Sequence, residues 1–245
     1  MIRQRVVAAE MLDSLPVDDP RAIRSRSDLR RIHRAMGTCG IVRQALDDML
    51  ALQHRPASIR VLELGAGDGT LMLEVARTLS PRWSPVELTL LDRQELTSNA
   101  TVVAYADVHW TAIPLTVDVF DWVHSVSALN PKQGPHWDLI VAHLFLHHFS
   151  DAQIVQLMSA ISTRTTLFFA CEPRRSLLAL TGSHLVGLIG GNAVTRTDAV
   201  LSVRAGFRNR ELSDLWPNPS GDWTTAEYAA GLFSHSLRAQ KTGKH

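Results

Sequence analysis

The sequence predicts an α/β protein with a doubly wound, mostly parallel sheet of seven strands. Short apolar segments typical of buried strands alternate with segments of helical period after about residue 55. The first strand runs into a glycine-rich turn, "GAGDG", that opens a helix. At the other end of the chain, the turn-rich "LWPNP" and the alternating "GLFSHSLRAQK" predict a C-terminal antiparallel hairpin. Residues 1–55 are predicted to form an N-terminal arm and helical cap, and residues 56–245 the sheet domain.

The predicted elements follow in order along the chain. The first twenty residues have no clear period and are interpreted as a mobile arm. Ser27 is the predicted cap of a helix whose apolar positions repeat at helical spacing, the bend "GTCG" follows, and a second amphipathic segment continues to about Gln53. "SDAQ" has capping-box form and predicts a helix that ends near Ser162. The predicted strands are Ile59 to Leu64, Val86 to Asp92, a segment between Ala104 and Val117, Trp137 to Phe145, and "TLFFACEP".

Bulk properties exclude several classes of protein. The 245 residues are 45% hydrophobic, which suits one large domain, and the formal net charge of +1 argues against a nucleic acid or anionic membrane partner. Two cysteines form neither a disulfide framework nor a zinc motif, so a reduced cytoplasmic compartment is expected. The most apolar stretch, residues 177–190, is shorter than the roughly 20 apolar residues of a membrane span. The sequence leaves open whether the protein forms a homodimer.

The glycine loop predicts a nucleotide-type site that favours a cationic ligand over a pyrophosphate. Gly65, Gly67 and Gly69 permit a tight turn and close approach of a ligand to the backbone. Their G-x-G-x-G spacing differs from the dinucleotide fingerprint and from the Walker loop. A loop that held pyrophosphate would gain nothing from Glu63 and Asp68, whereas a cationic ligand with an amino group and a sulfonium would.

Two further acids follow neighbouring strands. Asp92 ends the second strand, where a carboxylate accepts hydrogen bonds from both ribose hydroxyls in nucleotide-binding sheets. Asp118 follows the third strand, where an acid can accept a hydrogen bond from an adenine amine. Ordinary loop capping is the alternative role for both residues.

The ordered segments "VLELGAGDGT", "LLDRQ", "VDVFDW" and "WDLIVAHLFLHHFSD" resemble class I S-adenosylmethionine-dependent methyltransferases. The second half of the chain, with "EPRRSLLAL" and "GGNAVTRTDAVLSVRAGF", resembles the bacterial small-molecule type that tailors polyketides and phenols. The resemblance implies a Rossmann-like fold, S-adenosylmethionine as cofactor and S-adenosylhomocysteine as product. It places the methionine part at Glu63, the glycine loop and the backbone of His143 and Leu144, the ribose at Asp92, and adenine near Asp118. The implied cofactor-binding residues are Glu63, Gly65, Ala66, Gly67, Gly69, Asp92, Arg93, Asp118, Val119, His143 and Leu144.

Three histidines are candidates for the base that takes a proton from an acceptor hydroxyl. His147 and His148 follow the fourth strand, at the edge where ligands bind in open α/β sheets, although a structural pair that shapes the pocket is the alternative. His184 lies in the apolar stretch after the fifth strand, either in an acceptor lid or on a buried helix face. His235, in the predicted hairpin, is interpreted as facing solvent, and an orientation into the pocket is the alternative. His143 and His147 fall on a strand and its exit rather than on a helix, so no metal site is expected.

The predicted function is methyl transfer to a small, largely apolar or aromatic acceptor, with O-methylation of a phenolic or polyketide-derived compound favoured. Carbon methylation of a similar compound is the main alternative. A nucleic acid or protein methyltransferase is disfavoured by the neutral charge and by "FLHH" in place of an Asn/Asp-Pro-Pro-Tyr/Phe motif. A non-catalytic binding partner with the same fold is the remaining alternative.

Overall fold

The computed structural model describes residues 4–51, 58–83, 85–128, 134–218 and 220–242, and it confirms the predicted seven-stranded sheet. The strand order is β3-β2-β1-β4-β5-β7-β6. The first five strands are parallel to one another, and β7 inserts antiparallel between β5 and β6. The strands are β1 Ile59–Leu64, β2 Val86–Asp92, β3 Trp110–Thr116, β4 Leu139–His143, β5 Leu167–Pro173, β6 Trp223–Ala230 and β7 Ser234–Lys241.

Burial explains why the central strands are so apolar. Every residue of β4 and β5 is buried, as expected of parallel strands covered by helices on both faces. β3 lies at one edge of the sheet, where Pro114 costs no ladder hydrogen bond inside the sheet. This strand lies within the segment from Ala104 to Val117 in which the sequence predicted it, and residues 104–106 form the end of the preceding helix.

The helices form two layers around the sheet. The helices are α1 Met11–Ser14, α2 Pro20–Met36, α3 Thr38–Ala51, α4 Thr70–Trp83, α5 Asn99–Ala106, α6 Val119–Ser127, α7 Asp151–Arg164, α8 Leu177–His184 and α9 Ala193–Ala205, with short 3₁₀ turns at Leu146–His148, Leu185–Ile189 and Ser213–Leu215. One layer of the core joins the sheet to α3, α4 and α5, and the other joins it to α6 and α7. No helix in these described ranges has the length and apolarity to cross a bilayer.

The helical cap begins earlier than the sequence predicted. α2 starts at Pro20, because Asp19 accepts a hydrogen bond from the backbone N–H of Arg21 at 2.8 Å and proline suits the first helical position. Ser27, the predicted cap, lies inside this helix. Gly37 ends it in a left-handed conformation, which confirms the predicted bend. The predicted end near Gln53 and the domain boundary after residue 55 lie outside the described residues.

The N-terminal arm is docked along its described length, in contrast to the mobile arm interpreted from sequence. The N–H of Val6 donates to the carbonyl of Arg204 at 3.1 Å. Asp198, on α9, accepts hydrogen bonds from the N–H groups of Met11 and Leu12, both at 2.9 Å. These contacts hold residues 4–14 across α9 and bring them beside the carboxyl ends of the parallel strands.

Candidate cofactor and acceptor site

A cavity of about 890 Å³ opens at the carboxyl ends of the parallel strands, where the strand order reverses between β1 and β4. Open α/β sheets bind ligands at this switch point, and the volume is within the range of small-molecule sites. Of the predicted cofactor-binding residues, the ones that line the cavity are Gly65, Ala66, Gly67, Asp92, Arg93, Asp118, Val119, His143 and Leu144. Glu63 and Gly69 are not part of the lining.

The glycine loop needs glycine for two different reasons. Gly65, Gly67 and Gly69 all have left-handed φ angles, of 69°, 57° and 73°. A Cβ atom on Gly65 would lie 2.2 Å from the ring of Phe145, so this glycine permits close packing within the protein. A Cβ atom on Gly67 would meet no protein atom within 4 Å, and Gly67 lines the cavity. The open space at Gly67 is therefore available to a ligand.

Asp92 couples the end of β2 to the glycine loop. Its Oδ2 accepts a hydrogen bond from the N–H of Gly67 at 2.9 Å, and its Oδ1 accepts one from Gln94 at 2.9 Å. A carboxylate has about four lone-pair sites, so both oxygens retain capacity for ligand hydroxyls. Asp118 caps α6 by accepting from Phe120 at 2.8 Å. Both acids thus make the expected capping contacts while lining the cavity.

A buried polar cluster lies at β1 and β4. Glu63 is fully buried, and its Oε1 lies 3.0 Å from Nδ1 of His143. The ring of His143 meets His33 of α2 edge to face at 6.2 Å. Burial, followed by the neighbouring His143, lowers the pKa of His33 to about 3, so its ring is neutral over the physiological range. Next to this cluster, Leu144 has a left-handed φ of 48°, a strained conformation that commonly marks functional sites.

His147 is buried between two carboxylates. Its Nδ1 lies 2.8 Å from Oε2 of Glu172, and its Nε2 lies 3.3 Å from Oε1 of Glu10. Glu172 also accepts hydrogen bonds from the N–H groups of Phe145 and Leu146, at 3.0 and 2.9 Å, which fixes the turn after β4. Burial opposes a charge on His147, but the two carboxylates outweigh it and raise its pKa to about 9. His147 is therefore an imidazolium at neutral pH and cannot accept a further proton.

His148 has the opposite electrostatic character. Its ring centroid lies 4.2 Å from that of His147, and its Nδ1 lies 3.2 Å from Oδ2 of Asp13. Burial, followed by repulsion from His147, lowers the pKa of His148. Its side chain is 22% exposed and lines the cavity. A neutral imidazole in that position has the form that a general base requires.

The two other histidines lie apart from the cavity lining. His184 is exposed at the end of α8 and does not line the cavity, whereas the other candidate bases, His147 and His148, do. The interpretation of His235 as solvent-facing is wrong, because it is buried with Nε2 2.7 Å from Oε1 of Glu227. The hairpin pairing of β6 with β7 brings these two side chains together.

The arm contributes residues that sequence reasoning missed. Glu10 and Asp13 line the cavity and contact the histidine pair. Arg93, predicted to bind the cofactor, pairs with Asp13 at 3.6 Å and donates a hydrogen bond to its carbonyl. These contacts join segments far apart in the chain and have no periodic signal, so no pattern in the sequence indicates them.

No protein-family model matches the chain, and no curated protein sequence matches it. Solved structures do match. The plantazolicin methyltransferase BpumL, in complex with a triazolic desmethylPZN analog and SAH, has a TM-score of 0.65 at 11% identity over 92% of each chain. Magnesium protoporphyrin IX methyltransferase (ChlM) from Synechocystis, with bound SAH, has a TM-score of 0.53 at 12% identity over 88% of this chain and 94% of that chain.

A carbon methyltransferase, CurJ, has a TM-score of 0.54 at 14% identity over 84% of this chain and 54% of its own. Identities this low establish the fold rather than the reaction. The chain therefore has the Rossmann-like fold of class I S-adenosylmethionine-dependent methyltransferases.

Proposed function

We propose that the protein transfers a methyl group from S-adenosylmethionine to a small, largely apolar or aromatic acceptor. The observation that carries this proposal is that one cavity is lined by the left-handed glycine Gly67, by the carboxylate of Asp92 and by His148. A candidate cofactor site and a candidate proton acceptor therefore share one cavity. The S-adenosylhomocysteine bound in the BpumL and ChlM structures supports the same cofactor here.

The positions of the lining residues support one assignment of the cofactor contacts. The glycine loop and the backbone at His143 and Leu144 would hold the methionine part. Asp92 would accept the ribose hydroxyls, and Asp118 with Val119 would hold adenine. Carboxylates suit a ligand that carries a sulfonium and an ammonium group, because opposite charges attract strongly in a partly buried site.

The chemistry needs alignment more than activation, since the sulfonium is a good leaving group. Bound S-adenosylmethionine would supply an activated methyl group. As a lone pair of the acceptor oxygen forms the new bond to the methyl carbon, the electron pair of the carbon–sulfur bond would leave with sulfur, giving S-adenosylhomocysteine. The hydroxyl proton passes to the neutral ring of His148. Binding of both reactants in one cavity orders them for the transfer.

The walls of the cavity support an apolar or aromatic acceptor. The apolar side chains of the lining come from the arm, the helical cap, the turn after β4, the segment after β5 and the turn between β6 and β7. They include Leu12, Met36, Phe149, Val186, Val203 and Phe233. A hydroxyl that projects from such an acceptor toward His148 favours oxygen as the methylated atom. Carbon methylation of a similar acceptor is the second candidate, and the fold shared with CurJ favours it.

The division at residues 55 and 56 and a cytoplasmic location remain part of this proposal. The arm and α2 line the same cavity as the sheet domain, so the two parts act together on one acceptor.

The test is transfer of the labelled methyl group of S-adenosylmethionine to a panel of phenols and aromatic carbon acids, read by mass spectrometry. Methylated product with the wild-type protein supports the proposal, and the position of the label separates oxygen from carbon methylation. His148→Ala should lower turnover in this assay. His124→Ala is its matched control and should keep full turnover, because His124 is an exposed residue of α6 outside the cavity lining. Absence of product across the panel, with the cofactor bound, would count against an aromatic acceptor.

A further inference from the structure

The contacts of His147 set it apart from the other histidines in the described part of the chain. Each of its two ring nitrogens faces a carboxylate, Glu172 at 2.8 Å and Glu10 at 3.3 Å. The side chains of His147, Glu172 and Glu10 are 3%, 0% and 12% exposed. Glu172 belongs to β5, whereas Glu10 comes from the arm immediately before α1. The histidine is thus held jointly by the sheet and by the arm.

The charges on these partners reinforce one another. Burial alone would raise the pKa of Glu10, but its contacts with His147 outweigh burial and lower that pKa. The pKa of His147 moves upward at the same time, so both partners favour their charged forms. In this buried carboxylate–imidazolium–carboxylate arrangement the positive charge lies between two negative ones, so each charged group has a neighbour of opposite charge.

The charged groups that face His148 come from four elements. Asp13 lies in α1, Glu10 in the arm, His147 beside it in the turn, and Glu172 in β5. The three carboxylates favour a protonated His148, whereas the imidazolium of His147, with ring centroids only 4.2 Å apart, disfavours it. The influence of His147 is greater than that of any one of the carboxylates.

We propose that Glu10 is a positioning residue that, together with Glu172, holds His147 as an imidazolium, and that this charge keeps His148 neutral and able to accept a proton. Glu10 acts through His147 and does not touch the reacting atoms. The link to catalysis rests on the proposed function, whereas the protonation states are properties of the protein alone.

The proposal makes the arm part of the site. Asp198 fixes the N–H groups of Met11 and Leu12, and the hydroxyl of Ser202 donates to the same oxygen of Glu10 that faces His147. Nearer the start of the arm, a guanidinium nitrogen of Arg5 forms an ion pair with Oδ1 of Asp151 at 2.8 Å. Docking of the arm on α9 therefore delivers the Glu10 carboxylate to His147.

The test is a pH titration of the imidazole resonances by NMR, with His147 and His148 assigned by single replacement. Glu10→Gln removes the charge but keeps the shape and an oxygen that can accept from Ser202. Asp151→Asn is the matched control, because it removes a carboxylate that anchors the same arm through Arg5 without an ion pair to either histidine. Amide spectra establish that both variants fold.

We expect the pKa of His147 to fall in Glu10→Gln. The pKa of His148 should rise, because the lost repulsion from His147 is larger than the lost attraction from Glu10 itself. Both pKa values should stay unchanged in Asp151→Asn. Because the base must be neutral, the acid limb of turnover then moves to higher pH, with a tenfold loss of rate on that limb for each unit of movement. An unchanged His147 titration in Glu10→Gln would overturn the proposal, as would equal changes in the two variants. Binding of S-adenosylhomocysteine to each variant, measured in parallel, tests the proposed function separately.

Discussion

Substitution of Gly67 by alanine separates ligand binding from folding. Gly67 has a φ of 57°, and an added Cβ meets no protein atom within 4 Å. The new methyl group costs about 1–2 kcal/mol of left-handed strain, which corresponds to a fall in Tm of roughly 2–8 °C for a domain of this size. Gly221→Ala is the matched control, because Gly221 has a φ of 71°, equally open space, and a position outside the cavity lining.

The two variants should therefore lose similar stability and differ in affinity. The methyl group on residue 67 projects into space that we assign to the cofactor, and overpacking of this kind costs about 1–3 kcal/mol. Affinity for S-adenosylhomocysteine should fall about 5- to 150-fold in Gly67→Ala and stay at the wild-type value in Gly221→Ala. The assay is isothermal titration calorimetry with the melting temperature of each variant measured alongside. Wild-type affinity in Gly67→Ala would refute the placement of the ligand at this loop.

Three further predictions concern single side chains. Asp92→Ala should weaken cofactor binding by about 1–3 kcal/mol, through lost charge-assisted hydrogen bonds and a freed Gly67 N–H, and unchanged affinity in calorimetry would exclude Asp92 as the ribose ligand. His148→Ala should lower turnover with little change in cofactor affinity, whereas full turnover at every pH would leave the histidine pair structural. His33 has a folded pKa of about 3, below its unfolded value of 6.5, so its contribution to stability is full above 6.5 and is lost as pH falls toward 3. Between pH 6.5 and about 3, the free energy of unfolding of His33→Gln, measured with denaturant, should therefore fall less than that of the wild type. An identical pH dependence in the two proteins would contradict a low pKa for His33.

The sheet was predictable because its signals are local. β1, β2 and β5 are short apolar runs, and the capping box at Ser150 begins α7 as predicted. Gly65 and Asp92 were predictable for a related reason, since the carboxyl ends of neighbouring parallel strands converge at one edge of the sheet. Local pattern and the topology of the fold therefore locate the side of the cavity that the glycine loop and Asp92 line.

The remaining features depend on contacts between distant segments. Glu10 faces His147 across 137 positions of the chain, and nothing in the arm's composition indicates a partner. The start of α2 was misplaced because Ser27 is as good a capping residue as Asp19, and the choice depends on packing of the cap. His235 was misread because its partner, Glu227, becomes a neighbour only when the hairpin pairs.

The central claim is that this cavity binds S-adenosylmethionine, and calorimetric titration of the purified protein with S-adenosylmethionine and S-adenosylhomocysteine tests it most directly. The account predicts saturable binding of both, with roughly micromolar dissociation constants, near −8 kcal/mol. Such binding without turnover on any acceptor would favour a non-catalytic partner that keeps the fold. Absence of binding by both compounds would contradict the account, because the glycine loop and Asp92 would then serve another ligand.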